Sequence, residues 1–521
     1  MSTRPSYYVT TPIYYVNDVP HIGHAYTTLA CDVLARFKRL DGYDVMFLTG
    51  TDEHGQKVEK SAAGAGVDPQ SFCDRVSARF QALATAMNFS NDQFIRTTED
   101  RHKRAVQHLW QRIADAGYIY ESAYSGWYSV SDEAFYSEKE LTDRADGTKV
   151  APSGSTVEWV EEPSFFFKLS AFQDRLLELY ETQPDFVMPS SRLNEVKSFV
   201  RGGLEDLSVS RTTFTWGVPV PGADGHIMYV WIDALTNYLT ATGYPDEGSK
   251  DYRTFWPADV HMVGKDILRF HAVYWPAFLM AAGLPLPRRV FAHGWWTNEG
   301  EKISKSKGNV IDPFALIDDF GLDPVRYFLL REVPFGNDGD FSRAAFVNRC
   351  NADLANDLGN LAQRTLSMIH KNCNGALPAP GDLTDADREL LDGVDGLLDI
   401  VRPHMDRQAF HKALGAIWDQ VGAANTYISE QAPWTLKKTD AERMSTVLYV
   451  VAETIRQFAI LAQPVTPDAA AALLDLLDID AGARGFDALG AGGRLAAGRP
   501  IVKPSGVFPR LELETDGEKN A

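Results

Sequence analysis

Two short strings carry the residue types that phosphate chemistry needs. The first is His21-Ile22-Gly23-His24. Histidines three positions apart share one face of a helix, and the start of a helix favours anions through its unpaired N–H groups. The glycine between them lets a flat ring or a phosphate come close to the backbone. Such a pair can donate hydrogen bonds to a phosphoryl group as charge develops on it. The second string is Lys302-Ile303-Ser304-Lys305-Ser306, followed by Lys307 and Gly308 and preceded by Gly300. Three lysines flanked by glycines make a mobile cationic loop suited to closing over a triphosphate. Taken singly, each has a plainer reading: a structural or surface His pair, and a solvated Lys/Ser loop. Their joint occurrence favours the chemical reading, because the first opens an α/β pattern and the second follows its last strands.

The elements that must position these strings follow from periodicity. Residues 7–16 are rich in Tyr, Thr, Val and Ile and predict a buried strand, broken by Asn17, Asp18 and Pro20. Pro20 suits the first turn of a helix, and Ile22, Ala25, Leu29, Val33 and Phe37 recur at helical steps until Gly42. A second strand over 45–48 leads into a loop, Gly50-Thr51-Asp52-Glu53-His54-Gly55. Strand, helix, strand predicts a parallel α/β sheet of Rossmann type. Residues 118–221 change character, with short strand-like pieces such as 126–130, turns and many acids, and read as an insertion. The α/β pattern resumes at 226–232 and 259–263, so the sheet is expected to be split around the insert. From about residue 345 the chain is expected to be helical, with amphipathic stretches at 351–370 and 441–461. A Gly-rich tail ends in Gly506-Val507-Phe508-Pro509-Arg510, expected as an extended peptide that packs back. The resulting division is 1–117 and 222–292 for the halves of a nucleotide-binding domain, and 118–221 for a connective insert. It continues with 293–345 for a small domain carrying the lysine loop, 346–485 for an all-α domain, and 486–521 for the tail.

Composition narrows the class. A chain of 521 residues exceeds one ordinary core, and 45% hydrophobic with 23% charged residues is globular. No run approaches the roughly 18 apolar residues of a membrane span, and the opening residues lack the basic-then-apolar pattern of a signal peptide. A cytoplasmic protein without membrane attachment is expected. Cys31, Cys73, Cys350 and Cys373 are too scattered for a disulfide framework and are expected as buried thiols. A net charge of −19 confines any nucleic-acid contact to a local surface.

The two strings resemble the HIGH and KMSKS signatures of class I aminoacyl-tRNA synthetases, with Ile303 where Met is usual, a volume-conserving exchange. Five further strings resemble those of methionyl-tRNA synthetases. They begin at Thr11 (TPIYYVN), Thr49 (TGTDEHG), Tyr229 (YVWIDALTNY), Gly264 (GKDILRFH) and Ala292 (AHGWW). The resemblance runs from Tyr8 to the C-terminal peptide. It implies ATP-dependent activation of L-methionine, with Mg²⁺ accompanying ATP, and transfer to tRNA(Met). It also implies a methionine pocket of Ile13, Tyr15, Asp52, Trp231, Ala234, Leu235, Tyr238, Ile267 and His271. Those types make sense for the ligand. Aromatic rings offer polarizable walls to a thioether, Asp52 can pair with the ammonium, and the Tyr15 hydroxyl and His271 can hydrogen-bond weakly to sulfur. For ATP the resemblance implies His21, Gly23 and His24 on the phosphate and adenine side, Asp266 at the ribose, the Trp296 backbone at adenine, and Lys302, Ser304 and Lys305 at the phosphates. His21, His24, Lys302 and Lys305 are the expected catalytic set.

In the helical part, Asn356, Asn360 and Arg364 are spaced by four on one face, and Trp434 follows Pro433. Amides and a guanidinium can pair with base edges and an indole can stack, so the resemblance makes these the expected anticodon readers. One feature departs from many family members: residues 118–221 contain no Cys and no His, which excludes a zinc knuckle there. No structural zinc and no metal ligand set is expected. Trp127, Tyr128, Phe135 and Tyr136 either hold the insert by ordinary packing or meet the tRNA acceptor end. The insert is too short for a separate hydrolytic domain, so rejection of homocysteine, which differs by one methyl group, is expected within the synthetic site. Synthetases for cysteine, leucine, isoleucine or valine would need active-site zinc ligands or a longer insert. A catalytically silent tRNA-binding paralogue would have no use for His21, His24, Lys302 and Lys305. A monomer with no obligatory protein partner is expected.

Overall fold

The computed structural model describes residues 4–16, 19–144, 146–303 and 309–513. Ser304 and Lys305 therefore lie outside the described residues, as do the side chains of Tyr124 and Lys302. The chain forms two compact bodies. One joins Ser6–Pro20 to Val45–His293, and the other joins His21–Asp44 to the chain from Gly294 onward.

The first, a sheet body, is built on seven strands in the order Val187–Met188, Val290–His293, Val260–Gly264, Ser6–Thr10, Asp44–Asp52, Tyr14–Tyr15, with Gln93–Arg96 also paired to Asp44–Asp52. The ladders at both ends of this order are parallel. Asp44–Asp52 is buried along nearly its whole length, as a strand covered on both faces must be. Gly50 lies where a Cβ would fall 2.1 Å from the Ile95 carbonyl oxygen, so only glycine allows the neighbouring strand so near. A second, antiparallel sheet orders Leu207–Ser208, Glu158–Phe167, Ile119–Ser129, Ala134–Tyr136.

Three sequence expectations change here. The strand expected over 7–16 is two strands, because Pro12 has no N–H to give a ladder, and Tyr14–Tyr15 pairs on the far side of Asp44–Asp52. The loop expected from Gly50 begins later, since the strand continues to Asp52. At 226–232 only Ile227–Met228 is a strand, antiparallel to Ser210–Arg211, and Val230–Leu235 is helix. Within residues 118–221, Val187–Met188 pairs in the parallel sheet.

The second body is mostly helical. Its helix Ile22–Leu40 buries the stripe that the apolar spacing announced. Asn351–His370 is not one regular helix: Asn351–Gly359 is wound with wide, i→i+5 turns before Asn360–Asn372 resumes α geometry. Ala441–Ala462 is long and apolar enough to cross a membrane, yet it is the core helix of this body, buried throughout its last turns. The tail returns over the helices: Asn351 exchanges two hydrogen bonds with the Leu511 backbone, 2.8 and 2.9 Å, and Phe508 lies against Gly359.

Asp323 joins two helices of this body by accepting the Ala469 N–H at 2.6 Å. Burial pushes its carboxyl up to about 6, an effect only partly offset by that N–H. The proton is thus held more tightly in the folded chain than at the ordinary value of 3.8. The stabilisation it gives is present below about pH 4 and is lost as pH rises through about 6. The unfolding free energy of Asp323→Asn relative to the unaltered protein should therefore rise by about 3 kcal/mol between about pH 4 and pH 7 in denaturant titrations. Parallel pH profiles would show that the folded chain does not perturb this carboxyl.

Candidate active site

The signature helix of the helical body starts with a cap made by its own histidines. The Gly23 N–H donates to His21 Nδ1 at 3.1 Å, and the His21 N–H donates to His24 Nδ1 at 3.1 Å. Since each Nδ1 accepts, each neutral ring carries its proton on Nε2. The rings lie 4.0 Å apart, and burial, then the neighbouring His21, pushes the His24 imidazole well down, keeping it a neutral donor. A Cβ on Gly23 would meet the His21 ring at 2.9 Å, so the glycine is required by the cap itself. The Ile22 N–H is taken by the Ile311 carbonyl at 3.1 Å. In the same body Trp296 is buried edge-on to Tyr26, ring centroids 5.6 Å apart, on a strand paired with Gly339–Phe341. The turn Asn298–Glu301 has positive φ at Glu299 and Gly300, the twist that a two-residue hairpin favours, and it leads into the lysine string at Lys302.

In the sheet body the other expected residues gather where the parallel strands end, the edge at which such sheets bind ligands. Tyr15 pairs in register with Asp52, the last residue of its strand. Asp266 is exposed in the turn after Val260–Gly264, and Gly264 makes room for it: a Cβ there would lie 2.4 Å from Asp266 Oδ1. Ile13, Tyr15, Trp231 and Ile267 are half-buried against one core that includes Leu235 and Tyr238, and Ala234 is buried on the same short helix as Trp231. Trp231 stacks on Phe270 at 3.7 Å and meets His271 edge-on at 6.1 Å. His271 sits in a wide turn, Phe270–Tyr274, of the kind found at functional sites. Its Nδ1 donates to the Ile267 carbonyl at 3.0 Å, so Nε2 accepts the Tyr238 hydroxyl at 2.7 Å. Burial lowers His271 to about 4, leaving it neutral. Both its nitrogens are engaged within the protein, and the Tyr15 hydroxyl is likewise turned to the His54 carbonyl and Glu133. What these engagements leave is ring surface and the Trp231 indole N–H, which has no hydrogen-bond partner.

Asp52 is 6% exposed, and its Oδ1 has no hydrogen-bond partner. Burial, then the charges of Asp233 and Glu133, pushes its carboxyl well above the usual range. A carboxylate so placed gains most from an arriving cation.

The residues expected to read bases lie in the helical body. Asn356 and Asn360 are exposed, and Arg364 is half-buried with Nη2 donating to Asn425 Oδ1 at 3.0 Å. Trp434 is 46% exposed on the first turn of Pro433–Thr439. Among the described residues, no group of three or more His, Cys, Asp and Glu is placed to hold a metal ion.

The model of class I tRNA synthetases of the methionyl group matches residues 7–366, and that of the anticodon-binding domain of methionyl tRNA ligase matches 377–520. The chain belongs to the methionine–tRNA ligases. It is 59% identical to that of Mesorhizobium japonicum over 98% of both chains, and 57% identical to that of Brucella suis over 99% of both. The crystal structure of Mycobacterium tuberculosis methionyl-tRNA synthetase bound by methionyl-adenylate superposes with a TM-score of 0.94 at 55% identity, covering 97% of this chain and 100% of that one.

Several residues that support these candidates had no role assigned from the sequence. Asp233 receives His54 Nδ1 at 2.7 Å and His102 Nε2 at 2.9 Å, and His102 Nδ1 meets Thr240 at 3.1 Å. Burial alone would raise the Asp233 carboxyl, but the two imidazoles overcome it and bring it to about 2. This node ties the helix of Trp231, Ala234 and Leu235 to the turn after Asp52. His54 and Asp233 each stood in one of the family-like strings with no role given, and His102 stood in none. In Asp233→Asn one of the two imidazole N–H groups faces an amide that cannot accept. Stability should fall by about 3–5 kcal/mol, and methionine should protect the variant less against thermal unfolding than it protects the parent. Unchanged protection would separate Asp233 from the pocket.

Proposed function

We propose that the enzyme joins L-methionine to ATP, giving methionyl-adenylate and pyrophosphate, and passes the methionyl group to the 3'-terminal adenosine of tRNA(Met), releasing AMP. The observation that carries this reading is the unpartnered, buried Asp52 oxygen at the carboxyl edge of the sheet. Asp52 receives the ammonium. Ile13, Tyr15, Trp231, Ala234, Leu235, Tyr238, Ile267 and His271 form the wall around the thioether. Asp266 takes the ribose and the Trp296 backbone the adenine. The methionine carboxylate attacks the α-phosphorus in line as pyrophosphate leaves, and the Nε2–H groups of His21 and His24 hydrogen-bond to the oxygens on which charge grows. Gly23 keeps that approach open. Lys302, Ser304 and Lys305 hold the β and γ phosphates, which enter with Mg²⁺ as part of the substrate. No side chain serves as covalent nucleophile. Asn356, Asn360, Arg364 and Trp434 read the anticodon. Residues 118–221, lacking Cys and His, need no zinc for this chemistry.

Amino-acid-dependent ATP/pyrophosphate exchange, run over all twenty amino acids without added zinc, tests the reading. Methionine alone should drive exchange. Lys305→Ala should lower its rate by about 100-fold or more, the scale for one lost electrostatic stabiliser, while methionine binding by calorimetry persists. Exchange with no amino acid would overturn the ligase reading for this chain. Trp434→Ala should reduce kcat/KM for tRNA charging by about 5- to 100-fold, the range for one lost base stack, with exchange unchanged. An equal loss in exchange would remove Trp434 from anticodon reading.

A further inference from the structure

Glu133 stands in the tight turn between strands Ile119–Ser129 and Ala134–Tyr136, where Ser129 pairs with Ala134. Solvated acids are ordinary in such turns, but this one is 5% exposed. Its φ is +47°, a left-handed conformation that glycine or asparagine adopts at lower steric cost. A residue that is both buried and strained in this way is held by its surroundings for a reason other than turning the chain.

The surroundings identify that reason. Glu133 Oε1 accepts the Tyr15 hydroxyl at 3.0 Å and the Lys57 N–H at 3.3 Å, and Oε2 accepts the Tyr128 hydroxyl. The Glu133 carbonyl takes the Tyr229 hydroxyl at 2.9 Å, which fixes the strained backbone from the other side. Gly55 completes the fit: its φ is +109°, and a Cβ there would fall 2.5 Å from the Tyr15 hydroxyl and 3.2 Å from Glu133 Oε1. Burial, and then the charge of Glu133, keeps the Tyr15 phenol protonated, so that it remains a donor. The single hydroxyl proton is therefore shared between two acceptors, the His54 carbonyl at 2.9 Å and the Glu133 carboxylate at 3.0 Å, which hold the hydroxyl from both sides.

We propose that Glu133 is a positioning residue for methionine selection, which fixes Tyr15 by its hydroxyl so that the ring face is what the amino-acid side chain meets. The proposal rests on the reading that Tyr15 lines the methionine pocket. It gives the antiparallel sheet of the insert a part in choosing the amino acid. A hydrogen bond to a buried charge is worth enough to shift affinity by about ten- to a hundredfold. Because the clamp acts before chemistry, its loss belongs in methionine affinity, not in turnover.

The test is exchange kinetics with the full chain for Glu133→Gln, Glu133→Ala, Tyr15→Phe, Tyr15→Ala and the double variant Tyr15→Phe/Glu133→Gln, with melting temperatures alongside. Glu133→Ala should raise the methionine KM by about ten- to a hundredfold, with kcat and the KM for ATP within about twofold. Glu133→Gln, which keeps the shape and one acceptor, should fall between. Tyr15→Phe should also raise the methionine KM, and adding Glu133→Gln to it should change little, because the carboxylate acts through the hydroxyl. Additive effects in the double variant, or equal losses in kcat and both KM values, would overturn the proposal. So would a lowered melting temperature with no change in methionine KM, the mark of a purely structural carboxylate. If Tyr15→Ala leaves the methionine KM unchanged, the pocket reading itself fails. If Tyr15→Ala raises it while Glu133→Ala does not, only the clamp fails.

Discussion

A guanidinium with no access to solvent fixes the signature helix. Arg326 is fully buried, and it is satisfied by the Asp32 carboxylate at 2.6 Å and by the Val465 and Pro464 carbonyls at 2.9 and 2.8 Å. Removing any one of these partners would leave charge or donors stranded in a dry interior, which is far costlier than the net gain of an exposed ion pair. Asp32 lies midway along the helix whose first turn carries His21 and His24. Further ties follow along it: Lys38 to Asp406 at 2.7 Å, Asp41 to Arg402 at 2.9 Å, and Phe37 against Phe486. The histidine cap is thus held in one rigid setting by the helical body, as preorganised donors must be if they are to act without reorganising. The residue next to Arg326, Tyr327, gives its hydroxyl to Asp353 at 2.7 Å, on the stretch that also bears Asn356. One helix, Leu322–Arg331, therefore touches both the signature helix and the segment that bears Asn356.

The sheet body solves a different problem. Its strand-end edge must carry the buried Asp52 carboxylate among aromatic side chains. Polar groups near the pocket are satisfied by one another: Tyr238 by His271, His271 by Ile267, and Tyr15 by His54 and Glu133. The exceptions among the candidate residues are Asp52 Oδ1 and the Trp231 indole N–H. Commitment of the hydroxyls and the imidazole thus leaves one indole donor and one carboxylate oxygen without a protein partner on this edge.

Periodicity made the signature helix legible, because Ile22 to Phe37 keep the 3.6-residue step and the cap residues are local. It could not separate strand from buried helix at 226–232. There, a run of aromatic and branched residues satisfies both patterns, and the helical spacing of Trp231, Ala234 and Leu235 showed only once the backbone was known. Residue strings made the family and most candidate side chains legible. Their supports were not. Asp233 and His102 are 131 positions apart, and Glu133 reaches Tyr15 across 118. Nothing local distinguishes such an acid from a solvated one, since its burial is created by distant chain.

The insert shows how a module without zinc ligands can still have a charged centre. Arg211 is buried, with its guanidinium 4.1 Å from the centre of the Phe135 ring, 4.9 Å from Tyr229 and 5.3 Å from Tyr128. Its Nη1 donates to Ser208 at 3.0 Å, and Glu162 stands 3.8 Å from Nε. A cation surrounded by ring faces and a carboxylate draws elements together much as a metal does, but by weaker and less directional contacts. Such a centre needs support from its neighbours. Tyr128 and Tyr229, two of the three rings around it, also give their hydroxyls to Glu133. The packing of the insert and the clamp on Tyr15 therefore share their parts, so that the order of one sets the geometry of the other.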